Sequence, residues 1–147
     1  MQHFDALFHL ILLPTDFFGA CLGFTAALWL RHRTDLIPFI QYPAENLPTY
    51  RVAEPLFLFF AATLILYFAL SRLYVVRFSE PVVRLLPRIL WTTLIWWFSL
   101  IAYYTLIERT FFFSRLVLIH GVIIAAFLII LFRLLVSGAH RALSRRG

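Results

Sequence analysis

Four long apolar runs alternate with short polar connections along this chain. Each run has close to the 17 to 25 residues that a helix needs to cross the hydrocarbon core of a bilayer. The predicted spans are about 14–30, 55–76, 89–107 and 116–135. The pattern therefore predicts an all-α, multi-pass membrane protein in which four transmembrane helices form a bundle.

The first apolar run is interrupted by Pro14-Thr15-Asp16. Proline suits the first turn of a helix and disturbs a helix interior, so we expect the first span to begin at Pro14. Residues 1–13 would then form an interfacial segment before the membrane domain, which covers 14–135. Asp16 would lie in the first helical turn, where the helix dipole favours a carboxylate.

The connection between the second and third spans is short and rich in arginine. Its stretch Ser79-Glu80-Pro81 has the cap residue, early acid and early proline that are typical of a helix start. Apolar residues then alternate with Arg84 and Arg88. This pattern predicts a short amphipathic helix at the membrane surface before the third span.

The arginines also predict the orientation of the bundle. All 13 basic residues are arginines, and with the N-terminus inside the cell eight of them fall on inner segments and five on outer ones. Basic residues are retained on the cytoplasmic side. We therefore predict that both chain ends are cytoplasmic, with residues 136–147 forming a basic exit.

Composition narrows the class of protein further. The chain is 63% hydrophobic and 14% charged, whereas soluble domains are about 25% charged. The formal charge of +6 suits anionic lipid head groups better than nucleic acid, so the bilayer is the expected partner. No nucleophile elbow, phosphate loop or metal-ligand spacing is present, so we predict no catalytic, cofactor-binding or metal-binding residue.

Asp16 is an acid within an apolar run, and an ionisable residue in a membrane segment indicates a functional site by default. The alternative is a structural acid that pairs with Arg72 or Arg133. Arg72, Arg84, Arg88 and Arg133 are candidate structural or lipid-phosphate contacts, because guanidinium groups bind phosphate well. A role in topology alone is the alternative for these arginines.

Gly19 and Gly23 form a step of small residues one helical turn apart. Small residues allow membrane helices to approach closely, so this step predicts either packing against another helix of the chain or a homodimer face. A further group of residues is interpreted as interface belts and lipid-facing bulk. These are the aromatic residues Trp91, Trp96, Trp97, Tyr103 and Tyr104.

Several short motifs resemble the membrane domain of bacterial polyprenyl-phosphate glycosylphosphotransferases. Asp16 and the apolar run that ends in Leu30-Arg31 resemble the first membrane helix of that family. Leu73-Tyr74 resembles the family's Gly-Leu-Tyr-Arg sequence after the second span, although Ser71-Arg72 replaces the small residue and Val75 replaces the arginine.

The last part of the chain carries the same resemblance. The sequence Phe-Ser-Arg-Leu-Val-Leu at 113–118 resembles the start of the family's fourth span, and Arg133 resembles its closing arginine. The resemblance covers nearly the whole chain. None of the family's catalytic positions is among these motifs.

The resemblance implies a function in the bacterial inner membrane. The chain would anchor an enzyme that transfers a sugar-1-phosphate from a nucleotide sugar to undecaprenyl phosphate, in exopolysaccharide or O-antigen synthesis. In that family a Rossmann-like domain and a Mg²⁺-dependent catalytic module follow the four helices, so we expect both beyond Gly147. Undecaprenyl phosphate becomes an expected partner through the same resemblance.

Two other functions fit the same architecture. Membrane-bound nucleotide-sugar dehydratases and epimerases also begin with four helices and a Rossmann-like domain. The chain could instead be a complete small membrane subunit for transport or interaction, although Asp16 and His120 are few polar groups for a transport path.

Overall fold

The computed structural model describes residues 2–33, 49–74, 82–108 and 115–144. Its helices are α1 (Gln2–His32), α2 (Tyr50–Leu70), α3 (Val82–Tyr103), which continues into a π-helical turn at Tyr104–Glu108, and α4 (Arg115–Ser144). Each of these four helices is long and apolar enough to cross a membrane, and for α3 the span includes part of the π-helical turn. The predicted all-α bundle of four membrane helices is therefore confirmed, whereas the orientation stays a prediction.

The helix break predicted at Pro14 is wrong. Helix α1 continues through Pro14, so Asp16 lies in the middle of the helix and the residues before Pro14 belong to the same helix. Nearby, the Thr15 hydroxyl donates to the carbonyl oxygens of Ile11 and Leu12 at 3.0 Å and 2.8 Å. Membrane helices can continue through proline where neighbouring helices and Ser or Thr side chains satisfy the freed backbone groups.

The prediction of a separate amphipathic helix before the third span is also wrong. Helix α3 runs without a break from Val82 through Pro87 to Tyr103, and Arg84 and Arg88 are exposed on its first turns. One helix can therefore carry the basic start and the apolar span. The predicted start at 79–81 lies outside the described residues.

The bounds of two other spans differ from the prediction. Helix α2 begins at Tyr50 and ends at Leu70, so it starts and stops earlier than the predicted 55–76. Helix α4 continues to Ser144, so most of the basic exit is helical rather than a separate segment.

Helices α1 and α4 are the most closely packed pair. A Cβ atom added to Gly23 would lie 2.5 Å from the backbone of Ala125, and one added to Gly19 would lie 3.2 Å from the Phe132 ring. The glycine step therefore packs against a helix of the same chain, one of its two predicted uses. Because Ala125 already occupies the space at Gly23, this step is not available to a second copy.

An aromatic cluster fills the middle of the bundle. Phe24, Phe60 and Trp96 are each at most 1% exposed, and the Phe24 ring centroid lies 5.5 Å from that of Phe60 and 6.0 Å from that of Trp96. The Trp96 indole Nε1 donates to the Thr63 hydroxyl at 3.0 Å. The interpretation of Trp96 as an interfacial or lipid-facing residue is therefore wrong, whereas Trp91 is exposed.

Candidate functional site

Asp16 on α1 and Arg133 on α4 form a buried ion pair between these two helices. The Arg133 Nε atom donates to both Asp16 carboxylate oxygens at 3.2 Å and 3.1 Å, and Nη2 contacts Oδ2 at 2.5 Å. The Asp16 side chain is 0% exposed and the Arg133 side chain 3%. Of the two arginines predicted as partners of Asp16, the structure therefore selects Arg133 rather than Arg72.

Tyr74 completes this arrangement. Its hydroxyl donates to Asp16 Oδ2 at 3.0 Å, and the Arg133 guanidinium carbon lies 5.3 Å from the Tyr74 ring centroid and 5.6 Å from that of Phe68. A cation over an aromatic face is attracted by the ring electrons. We call these four residues, Asp16, Phe68, Tyr74 and Arg133, the Asp16 site.

The Tyr74 hydroxyl acts as a donor in this site. Burial first, and then the neighbouring Asp16 carboxylate, raises the pKa of Tyr74 above its ordinary value. The phenol therefore stays protonated at physiological pH and can donate to the carboxylate. The segment that follows α2 thus supplies a hydrogen-bond donor to the Asp16 carboxylate.

A tight turn after α2 brings Tyr74 to Asp16. The Leu73 N–H donates to the Phe68 carbonyl and the Arg72 N–H to that of Ala69, both at 3.0 Å, which is the hydrogen-bond pattern of a Schellman motif. The left-handed residue is Arg72, with φ of 53°, where glycine is usual. This conformation costs an L-residue about 1–2 kcal/mol, and it directs Leu73 into the core and Tyr74 to the carboxylate.

The Asp16 site is suited to holding the bundle together. Both carboxylate oxygens of Asp16 accept hydrogen bonds from Arg133, and Oδ2 also accepts one from Tyr74. A carboxylate with its oxygens occupied in this way has little capacity to accept a proton from a substrate. The site therefore joins α1, the end of α2 and α4, and removal of either charge would leave the other buried and unpaired.

The remaining candidate arginines lie outside the Asp16 site. Arg72, Arg84 and Arg88 are exposed, and Arg88 Nη2 donates to the carbonyl oxygen of Ser71 at 3.5 Å. Arg88 is therefore placed at the C-terminal end of α2, where a cation is favoured by the helix dipole. Thr92 strengthens the same junction, because its hydroxyl donates to the Ser71 hydroxyl at 3.2 Å.

Within the parts of the chain that the structure describes, no three His, Cys, Asp or Glu residues lie close enough to hold a metal ion. His120 is half-buried on α4 and Cys21 half-buried on α1. Neither belongs to the Asp16 site.

Two features of this bundle were not predicted from the sequence. One is the hydrogen bond from Tyr74 to Asp16, although the Leu73-Tyr74 motif indicated the place of this tyrosine after α2. The other is the burial of Arg31, which is only 8% exposed although it ends the first apolar run.

Comparisons with known proteins give no relative for this chain. No protein-family model matches it, and neither a curated protein nor a solved structure matches it.

Proposed function

We propose that the chain is the membrane-anchoring domain of a sugar transferase of the polyprenyl-phosphate glycosylphosphotransferase type. One observation supports this proposal above the others. Asp16, Tyr74 and Arg133 belong to three separate motifs that carry the resemblance, and these three side chains join in one buried site. Residues that matched the family by chance would not be expected to contact one another.

The proposed role is anchoring rather than chemistry within these helices. The charged groups of the Asp16 site are committed to one another, which favours a structural role for the site. The enzyme would move a sugar-1-phosphate from a nucleotide sugar to undecaprenyl phosphate, with its Mg²⁺-dependent reaction on a module outside the described helices. The proposed location is the bacterial inner membrane.

The exposed arginines supply a further element of the proposal. Arg72, Arg84 and Arg88 lie around the junction between α2 and α3, and this end would face the cytoplasm in the predicted orientation. Arginine binds phosphate oxygens through a planar set of donors. We propose that these residues hold anionic lipid head groups or undecaprenyl phosphate near the catalytic module.

A domain exchange tests the anchoring role. Residues 1–147 would replace the four-helix domain of a known glycosylphosphotransferase, and transfer of radiolabelled sugar-1-phosphate to undecaprenyl phosphate would be measured in isolated membranes. We expect the exchanged enzyme to remain active. Asp16→Asn should reduce activity in proportion to the loss of folded protein in the membrane, whereas the matched surface change Arg33→Gln should leave it unchanged.

Two outcomes would count against this proposal. An exchanged enzyme that is folded in the membrane but inactive would exclude the anchoring role for this enzyme class. Activity on fusion to a nucleotide-sugar dehydratase module, without activity on fusion to the transferase, would instead favour the dehydratase class.

A further inference from the structure

Two arginines are buried in this bundle, and only one of them has an oxyanion partner in the part of the chain that the structure describes. Arg133 is 3% exposed and its Nε donates to the Asp16 carboxylate. Arg31 is 8% exposed, and its Nε is buried without a hydrogen-bond partner. A buried hydrogen-bond donor that belongs to a charged guanidinium is costly to leave unpaired.

Arg31 lies on the core side of α1 rather than on its lipid-facing side. It follows Phe24 and Leu28 at helical spacing, and both of those residues are 0% exposed. Residues three, four or seven positions apart share one face of a helix. The Arg31 side chain therefore continues the face that packs into the bundle.

The antiparallel register places Arg31 beside the start of α4. Asp16 pairs with Arg133, and Gly23 lies against Ala125, so residue numbers decrease on α4 as they increase on α1. The same register puts Arg31 level with the first turn of α4, which begins at Arg115. The first N–H groups of a helix lack acceptors within the helix and carry partial positive charge.

A second helix start lies at the same end of the bundle. The His32 ring stacks on the Tyr50 ring with centroids 5.3 Å apart, so α2 begins beside the end of α1. Thr49 occupies the N-cap position of α2, and its side chain makes no capping hydrogen bond. A buried guanidinium at the same end of the bundle as two helix starts adds to their positive potential, which an anion would neutralise.

We propose that Arg31 binds a phosphate group at this end of the bundle. The ion pair of Arg133 with Asp16 gives an example in the same protein, because a buried arginine there donates hydrogen bonds to both oxygens of one carboxylate. Phosphate offers the same oxygen pair and the additional charge that two helix starts favour. The group could belong to a lipid head group or to free phosphate, and this site does not depend on the enzyme that the chain anchors.

The test follows the Arg31 Nε–H group directly. The 147-residue chain would be purified in phosphate-free maltoside detergent with ¹⁵N-labelled arginine, and the Arg31 resonance would be assigned with Arg31→Lys. Inorganic phosphate and phosphatidylglycerol would be titrated separately. We expect a saturable shift of the Arg31 resonance with one or both probes, and the probe that acts identifies free phosphate or the lipid head group as the source.

Two variants separate the site from general surface charge. Arg31→Gln should weaken binding of the active probe by about tenfold or more, since a hydrogen bond to a charged group is lost. Arg33→Gln is the matched control, because Arg33 is exposed and lies over the Trp29 ring at 4.8 Å. It should change binding by less than about twofold, well below the effect of losing a charged hydrogen bond.

Three results would overturn the proposal. The Arg31 resonance could fail to respond to both probes, or the two glutamine variants could weaken binding equally. Asp35→Asn or Glu45→Gln could also shift the Arg31 resonance in the absence of any probe, which would identify a carboxylate of this chain as the partner. Because the wild-type resonance is the main readout, the test remains decisive if Arg31→Gln fails to fold.

Discussion

Arg133 on α4 holds the carboxylate of Asp16 on α1 across 117 positions of sequence, with its Nε atom 3.1 Å from Oδ2. The pair joins the first and last helices of the bundle, and Tyr74 connects it to the end of α2. Three of the four helical segments are thus tied at one point.

Asp16→Asn should strongly destabilise the bundle. The substitution leaves the Arg133 charge buried without a carboxylate, and breaking one side of a buried ion pair costs about 3–5 kcal/mol. The free energy of unfolding can be measured in bicelles by steric trapping or by titration with a denaturing detergent.

Replacement of both partners provides the control for this prediction. The double variant Asp16→Leu with Arg133→Leu removes both charges, so it should be closer to wild type than either single leucine variant. A change of less than about 0.5 kcal/mol for Asp16→Asn, the range of ordinary surface substitutions, would contradict a structural role for the pair.

Tyr74→Phe should destabilise the protein less than the loss of Asp16. It removes one hydrogen bond to a charged group, an interaction that contributes about 1.5–3 kcal/mol, and keeps the ring over Arg133. Tyr103→Phe is the matched control, because Tyr103 is exposed and should change the free energy of unfolding by less than about 0.5 kcal/mol. Equal effects of the two substitutions would refute the role given to the Tyr74 hydroxyl.

Gly23→Ala should force α1 and α4 apart. Its new Cβ would lie 2.5 Å from the Ala125 backbone, and overpacking of this kind costs about 1–3 kcal/mol. Gly138→Ala is the control on α4, since a Cβ there meets nothing within 4 Å. The control should stabilise the helix by about 0.5–1 kcal/mol, so unfolding measurements should give opposite signs for the two changes.

Arg72→Gly should be more stable than Arg72→Ala. Both variants lose the guanidinium, but glycine adopts the left-handed conformation at φ of 53° without the penalty of about 1–2 kcal/mol for an L-residue. The difference in free energy of unfolding between these two variants isolates the strain of the turn. An alanine variant at least as stable as the glycine variant would show that the turn relaxes to another conformation.

The number and type of the elements could be predicted from the sequence, because lipid leaves few choices. A run of about 17 to 25 apolar residues in a bilayer must satisfy its backbone groups internally, and a helix does so at the length that spans the hydrocarbon core. The close contact at Gly23 was also predictable in kind, since it follows from the absence of a side chain. Its partner on α4 was not.

The sequence limited the partner of Asp16 to two arginines but did not decide between them. Arg72 and Arg133 were both suitable cations, and the choice depended on the register of α1 against α4 and on the turn that ends α2. Arg72 lies in that turn and is exposed, whereas Arg133 points into the bundle. The helix register and the position of this turn are set only when the helices pack.

The tertiary structure alone decided which apolar and basic residues face the core. Trp91 and Trp96 lie on the same helix, yet one is 65% exposed and the other 1%. Hydrophobicity does not separate them, because lipid and protein core are both apolar solvents for an indole ring. For the same reason, apolar periodicity located the spans of this protein, while helix packing determined the contacts of Asp16 and the burial of Arg31.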